Sequence, residues 1–323
     1  MNAKTKGNKL SGDALNRVIL VVLLAAEIII FSILSPYFLT VKNIFSIGLN
    51  TSVLGIVAIG QTLCILTADF DLSVGGAACF TGIMYGYFSV NMGISVVVSI
   101  ILALIVACVI GLVNGFLITK VHINAFITTM ATNFILGGMV QLVSGGQAIL
   151  AKDQAYTFLG QTRLPLLNAP LPMIIFIILY LIMAYVLGNT VFGRHIYCIG
   201  GNVEAARIGG INHVKVKNLT YMLSGAFAGF AGIILSSRMA AAQVSVGSTY
   251  GMESIAATVL GGTILTGGKG NIFGTFVGVL ITGILSNGLT MLGLSQAWRD
   301  IATGLLLIFA IIMQNVTRNI NKN

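Results

Sequence analysis

Two stretches of the chain combine charged residues with clustered glycines, and they are the first candidates for chemistry. The stretch at 66–76 reads LTADFDLSVGG and carries Asp69 and Asp71, whereas the stretch at 261–275 reads GGTILTGGKGNIFGT and carries Lys269. Two carboxylates at i and i+2, with no other acidic residue near them in the sequence, make a poor cation site. We therefore expect no metal here, and a helix cap or a polar turn instead.

The glycines around Lys269 do not form a nucleotide-binding loop. In the pattern G-x-x-x-x-G-K-[ST], the first glycine would fall on Thr263 and the final serine or threonine on Gly270. ATP and magnesium are therefore not expected on this chain, nor is any other cofactor. The three histidines fall in predicted loops beside no evident nucleophile or metal site, so no catalytic residue is expected and an intramembrane enzyme is disfavoured.

The composition places these stretches in a membrane protein. The chain has 323 residues, of which 57% are hydrophobic and only 8% are charged, and its formal net charge is +9. Ordinary soluble domains carry about 25% charged residues. This composition excludes a soluble enzyme, a disordered protein and a secreted disulfide scaffold. We expect an all-α, polytopic membrane protein that forms a single transmembrane domain over 1–323.

Apolar runs of about 20 residues predict ten membrane-spanning helices. They lie at 16–38, 44–66, 72–90, 94–119, 124–144, 170–188, 216–237, 251–266, 272–292 and 297–314. With the N-terminus in the cytoplasm, twelve of the 17 lysines and arginines fall on the inside, which is the expected bias. Both termini, the tail 1–15 and the loop 189–215 are therefore predicted to be cytoplasmic, and the loop 145–169 external.

Polar residues inside these spans nominate a pathway. The stretches 66–76 and 261–275 predict broken-helix turns at Asp69, Asp71, Gly267, Gly268 and Lys269, because irregular backbone at membrane depth persists only where protein covers it or a cavity adjoins it. Polar side chains are costly in lipid and tend to face the bundle interior. The amides nominated on this ground are Gln61, Asn114, Asn133, Gln141 and Asn287. For each of them, helix-to-helix hydrogen bonding is the alternative.

The longest predicted inside loop contains a short helix. Asn202 is suited to cap it, EAARI follows, and Gly209 and Gly210 would end it. A helix of about two turns is not stable alone in water. It therefore predicts a docking element for a soluble partner, although a solvated connector is the alternative.

The EAARIGGI loop, the DLSVGG turn and the run from Gln243 through ESIAATVLGGTILTGGKGNIFGTFVGVLITGILSNGL resemble permease subunits of bacterial ABC importers of the ribose, xylose and galactose type. The resemblance implies a homodimer or heterodimer of ten-helix permeases in the bacterial cytoplasmic (inner) membrane. Its implied partners are a cytoplasmic ATPase that binds ATP and magnesium, an extracytoplasmic sugar-binding protein and membrane lipid, with no nucleic acid. The family's coupling helix falls on Glu204, Ala205, Ala206, Arg207, Ile208, Gly209 and Gly210.

The resemblance implies a permease that forms the translocation pathway for a monosaccharide or a related small polar metabolite, while ATP is hydrolysed on a separate subunit. Neutral amides suit a sugar, whose hydroxyls donate and accept hydrogen bonds without carrying charge. One motif departs from the family: where LTGGIDLSVG is common, this chain has LTADFDLSVG, with the additional carboxylate of Asp69. The alternative function is a proton-coupled secondary sugar transporter that uses Glu27, Asp69 or Glu253.

Overall fold

The computed structural model of the chain describes residues 12–165 and 168–320, and most of these residues are helical. The helices in chain order are α1 Gly12–Leu34, α2 Val41–Leu66, α3 Val74–Gly86, α4 Val96–Thr119, α5 Ala125–Ser144, α6 Gln154–Gln161, α7 Leu171–Asn189, α8 Val191–Gly201, α9 Val203–Ile208, α10 His213–Met239, α11 Tyr250–Leu260, α12 Ile272–Met291 and α13 Gln296–Ile320. A π-helical turn, Tyr87–Asn91, continues α3.

All ten predicted apolar segments coincide with a helix, to within a few residues at most boundaries. Within the described residues, six helices are long and apolar enough to cross a membrane: α2, α4, α5, α7, α10 and α12. The count of ten spans stays a prediction. Residues 1–11 of the predicted tail lie outside the described residues, and residues 12–15 belong to α1 instead of a tail.

Helix α10 is the centre of the bundle and packs closely on α2, α3 and α4. Its glycines make this possible: a Cβ atom on Gly225 would overlap the carbonyl of Ala107 in α4, and one on Gly232 would overlap the carbonyl of Ala78 in α3. The spacing Gly225-x-x-x-Gly229 therefore has the packing role that small residues have between membrane helices. The core lies around these contacts and the buried middle of α2.

Both long predicted loops contain regular structure. Between α5 and α7, the strand β1 (Ile149–Leu150) pairs antiparallel with β2 (Ala241–Ala242), and α6 begins at a cap in which Asp153 accepts from the backbone of Ala155. Between α7 and α10 lie α8 and α9. Of these short helices, α9 is the one that the sequence predicts; α6 and α8 were not predicted, because short helices with side-chain caps carry little hydropathy signal.

A non-helical segment, 243–249, precedes α11 and follows the length of α3. Next to it, Ala242 packs on Gly86, the Sγ of Cys79 lies 3.5 Å from the carbonyl oxygen of Gln243, and Gly247 contacts Gly75. No local pattern in the sequence predicts the course of this segment. The predicted helix 251–266 ends at Leu260 because the glycine turn that follows has a left-handed backbone at Gly262 (φ 89°), Gly267 and Gly268.

Candidate functional site

The two short helices α3 and α11 begin side by side in the interior of the helix bundle. Helix α3 starts at Val74 after the turn 67–73, and α11 starts at Tyr250 after the segment 243–249. Gly247 lies against Gly75 at this meeting point, and Gly251 lies close to Leu72. With 13 and 11 residues, α3 and α11 are only about 20 and 17 Å long, shorter than the roughly 30 Å hydrocarbon core. Paired broken helices of this kind line substrate pathways in transporters.

The turn 67–73 is fastened to one face of α10. The carboxylate of Asp71 is buried and accepts hydrogen bonds from the backbone N–H of Ser73 (2.9 Å), from its hydroxyl, and from the hydroxyl of Ser224 (2.9 Å). The ammonium of Lys217 lies 2.7 Å from Asp69 Oδ2, and the Tyr221 hydroxyl donates to the carbonyl oxygen of Phe70 (3.3 Å). We call the contacts of Lys217, Tyr221 and Ser224 with this turn the α10 clamp.

Three of the five predicted pathway amides support the start of α3. Asn114 donates to the Ser73 hydroxyl (2.8 Å), and Asn133 accepts from the backbone of Gly76 (2.9 Å). In the orientation that satisfies both its polar atoms, the Gln61 amide donates to the carbonyl of Asp71 (2.9 Å) and accepts from its N–H (3.3 Å). Gln61 and Asn114 are fully buried, so in this structure they brace the turn.

The other two predicted amides lie elsewhere. Asn287 in α12 exchanges two 3.1 Å hydrogen bonds with Asn43 in α2 and lines a separate cavity. Gln141 is exposed in the last turn of α5. The structure therefore does not gather all five amides at one place, and a pathway role for them stays a prediction.

The second glycine turn, 261–271, packs on the first. The backbone N–H of Gly268 donates to the carbonyl of Leu66 (3.0 Å), and Gly267 lies against Ala68. Helix α8 closes this contact, since the Tyr197 hydroxyl donates to the carbonyl of Gly270 (3.0 Å); burial raises the pKa of that hydroxyl. Lys269 is exposed. The two predicted broken-helix stretches are thus neighbours in space.

Helix α9 has the cap that the sequence predicts. The Asn202 side chain accepts from the backbone N–H of Ala205 (3.0 Å). The helix begins one residue earlier than predicted and ends at Ile208, because Gly209 caps it and Gly210 has φ 81°. Ile208 is 84% exposed and lies in a segment that the sequence places outside the predicted spans.

Within the predicted coupling helix, Ala206 is buried against its own chain, whereas Ala205 is exposed. Ala206 is therefore not available to a partner groove, although the sequence suggests that it is. The reason is geometric, because a helix of six residues is held only if one of its faces packs on the protein. The Glu204–Arg207 pair (3.0 Å) lies on the exposed side of the helix.

Sequence reasoning missed the α10 clamp. On the sequence alone, Lys217 contributes only to the positive charge of the cytoplasmic side, and Tyr221 and Ser224 lie within the predicted span 216–237. A signal existed, because polar groups at positions 217, 221 and 224 recur at the spacing of one helix face. The spacing does not reveal which turn that face meets.

Comparison with known proteins adds a likeness over most of the chain. The family model described as branched-chain amino acid transport system / permease component matches residues 43–311. The chain is 40% identical over 286 residues to the ribose import permease protein RbsC of Bacillus subtilis (strain 168), covering 88% of each protein. It is 38% identical over 293 residues to the L-arabinose transport system permease protein AraH of Escherichia coli (strain K12), covering 91% of this chain and 88% of that protein. No solved structure matches the chain.

Proposed function

We infer the function from family membership: this chain belongs to the branched-chain amino acid transport system permease components, and we propose that it is the permease subunit of a bacterial ABC importer for a small sugar. Similarity over about nine-tenths of the chain to permeases named for ribose and L-arabinose carries this proposal. The proposal includes a second permease copy or paralogue, a cytoplasmic ATPase and an extracytoplasmic sugar-binding protein. Its location is the bacterial cytoplasmic membrane, with both termini inside and ten spans.

Helix α9 is the proposed docking point for the ATPase. Its exposed Ile208 offers an apolar anchor, and the Glu204–Arg207 pair offers a polar rim beside it. Its buried Ala206 fixes the helix to the rest of the chain. A helix that is packed on one face and exposed on the other can be displaced by a bound partner, and it can transmit that displacement to the helices it contacts.

The α10 clamp is the proposed route by which a displacement of α9 reaches the turn 67–73. Only four residues separate the end of α9 from the start of α10. The first turns of α10 hold the turn 67–73 through Lys217, Tyr221 and Ser224. Movement of α9 would therefore shift α10, the turn, and the point where α3 and α11 meet. In this way ATP-driven closure on the inside would change the pathway without any catalytic residue on this chain.

One observation favours the alternative of proton coupling. The Oε2 atom of Glu27 in α1 is buried without a hydrogen-bond partner among the described residues. Asp69, the second candidate, is held in an ion pair by Lys217. Glu27, whose buried oxygen has no partner in the described part of the chain, is the residue at which the alternative is tested.

Reconstitution in proteoliposomes tests the two functions. The chain, its ATPase and its binding protein are combined, and uptake of radiolabelled D-ribose and L-arabinose is measured with ATP, without ATP, and with an imposed proton gradient. We expect uptake that requires ATP and persists in Glu27→Gln. Uptake that follows the proton gradient without ATP and is lost in Glu27→Gln would establish the secondary transporter instead.

A further inference from the structure

A polar cavity of about 280 Å³ lies between α2, α11, α12 and α13. It shares no residue with the α10 clamp. Its charged and amide-bearing lining residues are Asn50, Glu253, Asn287, Gln296, Arg299 and Asp300, and Ser286 also lines it. It runs from the last turn of α12 to the first turn of α11, and so ends near the point where α11 meets α3.

The charged groups of this cavity are not neutralised by one another. Arg299 donates from Nη1 to the Thr290 hydroxyl (2.9 Å), and its Nε has no hydrogen-bond partner in the described part of the chain. Asp300 accepts from Gln296 (2.7 Å). Neither the Asp300 nor the Glu253 carboxylate lies within ion-pair distance of Arg299, since the ion pairs found among the described residues are Glu204–Arg207 and Asp69–Lys217.

This arrangement specifies the chemistry of a ligand. Glu253 and Arg299 are partly withdrawn from water and are not paired with each other, whereas Asp300 is exposed. Charged groups of this kind need hydrogen-bond partners from water or from a bound molecule. A cation or an anion would meet a like charge in this cavity, because both signs line it. A neutral polyhydroxyl compound would not, because each hydroxyl donates to Glu253 or Asp300 or accepts from Arg299, and an amide such as Asn287 does both.

We propose that this cavity binds a single monosaccharide during its passage through the permease. The inference rests on the proposed sugar-importer function and adds the site. The volume of about 280 Å³ lies just below the range for small-molecule sites, which starts at about 300 Å³, so the cavity suits a ligand no larger than about one sugar ring. Hydrogen bonds to a mobile neutral ligand are also weak enough to release it, as conduction requires.

Cysteine protection tests binding directly in the complete importer. Ser286→Cys is made in a Cys198→Ser background, and labelling by a small maleimide is timed with and without D-ribose or L-arabinose. Ser46→Cys in α2, which is not among the lining residues, is the matched control. We expect either sugar to slow labelling at 286 by about threefold or more and to leave labelling at 46 unchanged, because bound ligand excludes the reagent. Equal labelling rates at 286 with and without both sugars overturn the inference.

A pair of amide variants separates binding from packing. Asn287→Leu removes a lining amide together with the Asn43 hydrogen bonds. Asn43→Leu removes the same hydrogen bonds, and a further one to the carbonyl oxygen of Phe38 (2.9 Å), but leaves Asn287 in the cavity. We expect sugar uptake to fall about tenfold or more in Asn287→Leu and less than about threefold in Asn43→Leu, since buried polar contacts to a ligand dominate its recognition. Equal losses overturn the site.

The two proposals fail separately. If the wild-type complex shows ATP-dependent uptake of either sugar but neither protection nor the Asn287 effect is seen, the site is wrong and the importer function stands. If the wild-type complex imports neither sugar, the proposed function is overturned and the inference with it.

Discussion

The ion pair between Asp69 and Lys217 joins the turn 67–73 to α10. Of the two ion pairs in the described part of the chain, theirs joins separate elements, and both side chains are only 14% exposed. Taking such charges out of water costs free energy that only a close partner offsets. The pair therefore ties the turn 67–73 to α10 at the place where the chain departs from the sequence LTGGIDLSVG.

Breaking this pair should uncouple transport. We expect Asp69→Asn and Lys217→Met each to lower ATP-dependent sugar uptake about tenfold, equivalent to about 1.4 kcal/mol, because one buried charge loses its partner. The swapped double variant Asp69→Lys/Lys217→Asp should recover most of the loss. Uptake in proteoliposomes is the measurement, and Lys215→Met, at an exposed position two residues away, is the control. A double variant as inactive as the single variants would show that the charge pair is not what matters.

Among the helices, the short helix α9 presents the proposed docking surface, and the long helix α10 packs on several other helices at once. Helix α9 has six residues, and its two faces have different surroundings: Ala206 is buried and Ile208 is exposed. Helix α10, with 27 residues, contacts α2, α3 and α4 together. Under the proposed coupling, a displacement of α9 would be transmitted through this long, close-packed helix.

The outward face of α9 should affect coupling without affecting folding. Ile208→Asp is expected to reduce sugar-stimulated ATP hydrolysis of the complex about tenfold or more, because an apolar anchor at the centre of an interface is worth about 2 kcal/mol or more. Ala205→Trp should act in the same direction by steric conflict with the docked ATPase. The thermal midpoint of the isolated chain should stay unchanged in both variants, since both positions are exposed. Normal coupling in both variants would remove α9 as the docking element.

The glycines of α10 should affect folding. Gly232→Leu places a side chain where the Ala78 carbonyl lies, so we expect a loss of stability of about 1–3 kcal/mol or more. Gly137→Leu in α5 is the matched control, because a Cβ atom there meets no atom within 4 Å. Thermal unfolding in detergent compares the two. Similar midpoints for both variants would contradict the packing described for α10.

At the scale of the whole molecule, orientation decides which surfaces meet which partners. The bias of lysines and arginines predicts that α8 and α9 face the cytoplasm, where the ATPase would be, and that α6 faces outward. The coupling proposal depends on this topology, because a helix on the outside cannot contact a cytoplasmic ATPase.

Labelling of the exposed thiol of Cys198 in α8 tests this orientation. We expect a membrane-impermeant maleimide to label Cys198 in inside-out vesicles and not in intact cells. Thr157→Cys in α6, made with Cys198→Ser, should show the opposite pattern. Labelling of Cys198 from the outside would invert the topology and remove the proposed site of ATPase docking.

The sequence by itself determined the protein class, the position of nearly every long helix and the family resemblance. These features are local, because hydropathy over about 20 residues and cap or glycine signals report only on neighbours along the chain. The same local signals also located both glycine turns and the helix capped by Asn202. The segment 243–249 carries the same kinds of residue as a loop, and nothing local distinguishes a loop outside the bundle from one that runs beside α3.

Only the tertiary structure decided the contacts between distant segments. Lys217 meets Asp69 across 148 residues of sequence, and Ser224 meets Asp71 across 153. Which face of α10 meets which turn depends on how several helices pack together, and small residues on α3, α4 and α10 allow that approach without naming the partner. For the same reason the burial of Ala206 and the gathering of Glu253, Asn287 and Arg299 around one cavity became visible only once the helices were packed.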